Sequence, residues 1–317
     1  MDVVGKFGRI LIPMCTPFEE DYSVDHAVVK RVARYLVDRK YCDSLIIAGT
    51  NGEFYTMSFE EKRDLFRTVK EEIGNDVPLI AGTGSANTRE TVRLTQEAQA
   101  LGYDGALVIV PYFCLPTQDG LYTHFAEVCR STSLPVMVYN IPLFTGSNIE
   151  LSTLSRLADR FDNLVAVKDE AGINPLQCSE YIRATGGKVT VYSGDDLMVL
   201  AIMSQGGVGV VSGGSHVIGD VMRDMIQGYL SGRTAEATAT FRKLYSLFVA
   251  FFGRNRRFRN PLPAVKAAFE ICSGLPVSRV RPPLLGLEGD ELDNLRQALK
   301  AIGKIQEDGF DQARGVG

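Results

Sequence analysis

Eight short apolar runs along the first two thirds of the chain constrain its fold more than any other feature. They are Ile10–Cys15, Leu45–Ala48, Leu79–Ala81, Ala106–Val110, Val136–Tyr139, Leu164–Lys168, Val189–Tyr192 and Val208–Val211. Such runs, apolar without strict alternation, read as strands covered on both faces, the pattern of a parallel sheet. Their starts lie mostly 26 to 35 residues apart, room for one strand and one helix, and the last gap of 19 leaves room only for a brief helix. Helical punctuation falls between them. Ser58-Phe59-Glu60-Glu61 is a capping-box pattern for a helix to about Ile73; Asn87-Thr88-Arg89-Glu90 repeats it for a helix to about Leu101, stopped by Gly102. Eight βα units in succession predict a (β/α)8 TIM barrel. A doubly wound open sheet is the alternative, but it has no need of eight strands, and no G-x-G-x-x-G follows the first run.

After Gly232 the texture changes. Thr234–Phe252 has the pattern of a long amphipathic helix with no strand after it, and Leu262–Cys272 and Asp290–Ile302 are further helical stretches. The expected organisation is a barrel over residues 1–231 carrying the active site, with a C-terminal helical domain over 232–317. The basic run Gly253–Arg259 reads as a solvated loop or one that pairs acids on a neighbouring subunit, with a phosphate or carboxylate site as the alternative. The polar tail Glu307–Gly317 is expected to fray.

Several function classes lose ground on composition. A net charge of −4, from 34 basic and 38 acidic residues, gives no reason to expect nucleic acid as a partner. No apolar run reaches the ~18 residues of a membrane span, and Met1–Gly8 lacks a signal-peptide pattern, so a cytoplasmic enzyme is expected. Six cysteines without a C-x-x-C pair suggest reduced thiols. With three histidines and no H-x-x-x-H spacing, a zinc or iron site is not expected; an all-carboxylate magnesium site stays open.

In such a barrel the active site forms where the strands end, on the C-terminal face. Gly49-Thr50-Asn51-Gly52-Glu53 follows the second strand, and its glycines let backbone N–H groups turn toward the mouth as a nest for a carboxylate; an ordinary βα turn would look the same. Tyr139 ends the fifth strand, where packing is the plainer role. Lys168 ends the sixth, either as a strand-end cation paired with Asp169 or Glu170, or as a functional amine in an apolar pocket. Ser193-Gly194-Asp195-Asp196 follows the seventh, and the eighth ends in Ser212-Gly213-Gly214-Ser215. A lysine shielded from water has its charged form disfavoured, so its free amine becomes usable near neutral pH. That amine can attack a ketone to give a Schiff base, and the protonated imine is an electron sink that lets a neighbouring C–C bond form or break without metal. A carboxylate nest and a phenol are the helpers this chemistry needs, and residues 49–53 and Tyr139 supply them.

Taken together, G-T-N-G-E at 49–53, Pro111-Tyr112, Y-N-I-P at 139–142, V-K-D at 167–169, S-G-D-D at 193–196, the run Gly206–Ser212 and Asn260-Pro261-Leu262-Pro263 resemble the dihydrodipicolinate synthase / N-acetylneuraminate lyase family of pyruvate-dependent class I aldolases. The resemblance spans about residues 8 to 305. It implies Lys168 as the Schiff-base lysine, Tyr139 as the proton relay, and Thr50 with Asn51 as holders of the pyruvate carboxylate. Gly49, Tyr112, Phe144, Gly194, Asp195, Val211 and Ser212 complete the expected binding set. It also implies pyruvate or another 2-oxo acid as the small-molecule partner, no cofactor beyond the covalent imine, and a homotetramer.

The chain departs from the family pattern in three places. Asn51 stands where the family usually has a second hydroxyl residue. Phe113 stands where the synthases place a tyrosine that completes a relay across subunits. Phe144 stands where they place an arginine for the carboxylate of aspartate semialdehyde. Losing a bidentate guanidinium removes that substrate's natural partner, which argues against 4-hydroxy-tetrahydrodipicolinate synthase. The expected substrate is a 2-keto-3-deoxy sugar acid cleaved to pyruvate and an aldehyde, its hydroxyls met by the rim at 212–216, with His216 within reach. A neuraminate-lyase-like enzyme and a sugar-acid dehydratase are the alternatives, and a non-catalytic keto-acid sensor is the alternative of a different class.

Overall fold

A computed structural model describes residues 1–170, 172, 174–252 and 260–306; the basic run 253–259 and the tail 307–317 lie outside the described residues. Eight parallel strands close into a barrel in sequence order: β1 (Ile10–Pro13), β2 (Ser44–Ile47), β3 (Leu79–Gly82), β4 (Gly105–Ile109), β5 (Val136–Asn140), β6 (Leu164–Asp169), β7 (Thr190–Ser193) and β8 (Gly209–Val211). Closure is made by β1 against β8, with Leu11 opposite Val211. The chain therefore has the expected (β/α)8 TIM barrel, with helices between the strands and more helix beyond them.

Strand ends differ from expectation by a residue or two, each for a local reason. The first strand stops at Pro13 rather than Cys15 because the Cys15 N–H turns away from the sheet and donates to His216 Nε2 at 3.1 Å. The sixth runs on to Asp169, whose register partner is Ser193 on β7. Ser58 and Glu61 form the full reciprocal cap of the helix Phe59–Ile73, with bonds of 3.1 and 2.8 Å. Asn87 caps its helix, Thr88–Ala100, by accepting from the N–H groups of Arg89 and Glu90. Glu90, however, pairs at 3.5 Å with Lys62, which lies on the preceding helix. Between β7 and β8 there is room only for the short helix Val199–Ser204.

Register is what carries the site. In neighbouring parallel strands, paired residues project to the same face. Tyr139 on β5 is paired with Lys168 on β6, so phenol and amine leave the sheet side by side on the barrel interior. Asp169, one residue on, points the other way. Its carboxylate accepts from Asn140 at 2.9 Å and from Gln177, on the helix Leu176–Ala184, at 3.0 Å.

The C-terminal helices Thr234–Phe252, Leu262–Ser273 and Gly289–Ala301 share one continuous apolar core with the barrel, through Leu247, Phe248, Val265, Phe269 and Leu295. One ion pair also joins them to the site. Lys266, wholly buried, donates to Glu53 Oε1 and to the Thr16 carbonyl, both at 2.9 Å, and to the Arg279 carbonyl. Glu53, equally buried, accepts from the Arg281 N–H at 2.9 Å through its other oxygen. With φ at 57°, Glu53 turns the chain out of the Thr50–Gly52 turn, and the lysine holds it there.

Candidate active site

The strand ends surround a small, half-open cavity. Lys168 enters from β6, Tyr139 from β5, and Thr50 and Asn51 from the turn after β2; Gly194, Asp195 and Asp196 follow β7, and Val211 ends β8. Four polar groups meet at the floor. The Thr50 hydroxyl donates to the Tyr139 oxygen at 3.2 Å, and the Tyr139 hydroxyl donates to Glu170 Oε2 at 3.0 Å. The same carboxylate lies 3.5 Å from the Lys168 amine, which sits 3.6 Å from the centre of the Tyr139 ring.

Burial sets the electrostatics. It pushes the Lys168 amine below the ordinary lysine value, while the charges of Glu170, Asp196 and Asp195 pull it back. Burial also raises Glu170 to about 7, against the lysine's attraction. Asp196 rises to about 6 for the same reason, its Oδ2 held by the Gly214 N–H at 2.7 Å. The Tyr139 phenol is driven well above its usual value, so it stays protonated and can donate. A lysine whose charged form burial disfavours, beside a phenol that keeps its proton, suits attack on a carbonyl and protonation of the departing oxygen.

Of the residues expected from sequence, Thr50, Asn51, Tyr139, Phe144, Lys168, Gly194, Asp195 and Val211 line this one cavity. Gly49 lines a smaller hollow behind it, bounded by Thr50, Tyr139 and Phe54. Tyr112 stands outside the cavity, its ring edge-on to Phe54 at 6.0 Å. Ser212 is buried beneath the rim, its hydroxyl taken by the N–H and hydroxyl of Ser215 at 2.8 and 2.6 Å. His216 does not reach the mouth. Fully buried, it accepts from Cys15 through Nε2, so Nδ1 carries the proton and bonds the Gly213 carbonyl at 2.7 Å. Both ring nitrogens serve the backbone, which corrects the expectation that this imidazole meets substrate.

Sequence reasoning missed other lining groups. Glu170 was weighed only as a strand-end partner of Lys168, yet the amine and the carboxylate sit two residues apart and so share a face of an extended chain. Phe248, Phe251 and Phe252, from the helix Thr234–Phe252, and Val265 close one side. Their only signal was the unbroken Phe251-Phe252 pair at the helix end.

Comparison with known proteins agrees with this fold. The Dihydrodipicolinate synthetase family profile matches residues 6–302. The chain belongs to that family. Curated family members named 4-hydroxy-tetrahydrodipicolinate synthase include one from Moorella thermoacetica, 41% identical over 300 residues and covering 95% of this chain and 100% of its own. Another, from Synechococcus sp. (strain WH7803), is 44% identical, covering 93% and 95%. Among solved family structures, the synthase of Cyanidioschyzon merolae with lysine bound superposes with a TM-score of 0.89 at 37% identity, covering 94% of this chain and 99% of that one. The chloride-inhibited dihydrodipicolinate synthase of Acinetobacter baumannii, complexed with pyruvate, superposes with a TM-score of 0.85 at 31% identity, covering 94% and 99%. As a family member the chain is a class I aldolase of the lyase class. No helix of the described residues is long and apolar enough to cross a membrane, and no cluster of metal-ligating side chains occurs among them.

Proposed function

We propose that the Lys168 amine attacks the ketone of pyruvate, or of a 2-oxo acid that releases it, and that the resulting imine carries an aldol cleavage or condensation. The observation that supports this most is the buried amine beside a phenol whose proton is already directed along a hydrogen-bonded chain. Thr50 and Asn51, at the start of the turn below that chain, receive the carboxylate of the oxo acid. Gly194 and Val211 form the wall against which its methyl or methylene carbon rests, and Phe144 faces the second substrate. The working form is a cytoplasmic homotetramer.

The second substrate is a hydroxylated aldehyde, so that the whole substrate is a 2-keto-3-deoxy sugar acid. Among the described lining residues Lys168 is the one cation, and it faces Glu170, Asp195 and Asp196. Among the described residues, a second carboxylate brought there would meet acids and the Phe144 ring. Sugar hydroxyls, by contrast, can donate to the acids that line the cavity. A competing reading has its own support: relatives 41 to 44% identical over nearly their full length are named as 4-hydroxy-tetrahydrodipicolinate synthases.

Borohydride trapping with pyruvate, followed by peptide mapping, tests the chemistry, and a carboxyethyl adduct on Lys168 is expected. Turnover by Lys168→Ala would refute it. A panel of aldehydes, with aspartate semialdehyde among them, then tests the substrate. Preference for glyceraldehyde-like partners supports the sugar-acid reading, and efficient condensation with aspartate semialdehyde replaces it with the synthase reading.

A further inference from the structure

We propose that Glu170 is a catalytic residue of this aldolase, the proton carrier that connects the Lys168 amine to the Tyr139 phenol while the imine forms. The inference rests on the assignment of Lys168 as the Schiff-base lysine. Three observations lead to it. One carboxylate oxygen, Oε2, accepts the Tyr139 hydroxyl at 3.0 Å and lies 3.5 Å from the Lys168 amine, so a single atom touches both groups. The contact is enforced by packing, for the glycine opposite leaves no slack. A Cβ built on Gly194 would fall 2.8 Å from Glu170 Cβ, 3.0 Å from its Oε2 and 3.0 Å from Lys168 Cε. Lastly, the Tyr139 oxygen already accepts from Thr50, so its own proton is committed to the glutamate.

The proton count of imine formation needs such a carrier. An ammonium and a ketone become a protonated imine and water, so nitrogen loses two protons and the ketone oxygen leaves with both. Glu170 takes a proton from the Lys168 ammonium, freeing the electron pair that forms the C–N bond. The C=O π pair moves to oxygen, which takes a proton from Tyr139, and Glu170 restores the phenol. The carbinolamine nitrogen gives up its second proton along the same path, the C–O bond breaks with water leaving, and the nitrogen pair closes the C=N bond. Every proton lost at nitrogen arrives at oxygen, and no external acid is required. A carboxylate raised by burial to about 7 can carry protons in both directions near neutrality. The charged and titratable groups facing it are Lys168 from β6, Tyr139 from β5 and Asp195 after β7, with Asp196 beyond the lysine.

The test is the rate of borohydride-trappable imine formation with pyruvate, measured by rapid quench across pH. Glu170→Gln keeps the shape and removes the carrier. It is expected to slow trapping by roughly 10²–10⁴, to reach the parental adduct on Lys168 in the end, and to lose the pH limb near neutrality. Adding Tyr139→Phe to it should slow trapping little further, because both act in one path. Glu170→Ala provides a second variant, in which added formate should restore part of the rate; a purely structural glutamate would not respond. Parental rate and pH profile in Glu170→Gln, or no formate response in a folded Glu170→Ala, overturns the proposal. A wild-type protein with no adduct on Lys168 at any time removes the assignment beneath it, a different and separable result.

Discussion

Replacing Lys266 by methionine should damage this protein more than most single changes, and the size of the effect follows from the burial. The side chain is fully enclosed, with three hydrogen bonds to Glu53 and to the carbonyls of Thr16 and Arg279. Methionine fills a similar volume but leaves the Glu53 carboxylate inside the protein with one remaining bond, from the Arg281 N–H. Removing one member of a buried pair costs about 3–5 kcal/mol, because the other charge stays desolvated. Against a native stability of about 5–15 kcal/mol, that is a large fraction, and at ~2–4 °C per kcal/mol it corresponds to a fall in Tm of roughly 10 °C. The loss should also appear at the site, since Glu53 ends the turn that carries Thr50. A several-fold rise in KM for the oxo acid is expected. Adding Glu53→Gln removes the stranded charge and should recover part of the Tm. Calorimetry at one scan rate would decide it. A Lys266→Met protein melting within ~2 °C of the parent, or a double variant no more stable than the single, would refute the reasoning.

Three further outcomes are expected. Tyr139→Phe should lower kcat/KM by roughly 10²–10⁴ if the phenol moves a proton in the transition state, with Tm little changed; steady-state assay beside a melt reads both. Gly194→Ala places a methyl against Glu170 and Lys168, and a misplacement of that order should cost about 10²-fold in kcat/KM; an unchanged rate would mean the two side chains are not held where the structure puts them. Burial holds the imidazoles of His124 and His216 down to about 4, so they stay neutral in the folded chain while the unfolded chain binds protons near 6.5. Their contribution to stability is complete above that value and drains as pH falls toward 4. An NMR titration in which either ring protonates near 6.5 in the folded protein would contradict this.

The barrel and half of its site could be read along the chain because both depend on local spacing. Strand period and helix caps are set by nearest neighbours, and the rule that strand ends share one face turns sequence position into location. Lys168, Tyr139 and Thr50 therefore fell into place. The departures show the limit of that logic. His216 follows a strand end as the others do, yet the helix Ser215–Leu230 turns it inward to bond Cys15 and Gly213. Nothing short-range distinguishes a rim histidine from one that satisfies a backbone N–H some two hundred residues away.

What the sequence determined by itself was the fold and the place of Lys168 at a strand end, because periodicity repeats eight times over and errors at single positions cancel. What the tertiary structure decided was the company that amine keeps. Whether Asp169 or Glu170 pairs with Lys168 depends on one extra residue of strand, which sends Asp169 out to Asn140 and Gln177 and returns Glu170 to the interior. The phenylalanines that close the cavity arrive from a helix after the barrel. Such contacts arise between surfaces far apart in the chain, and only the packed molecule fixes which side chains meet.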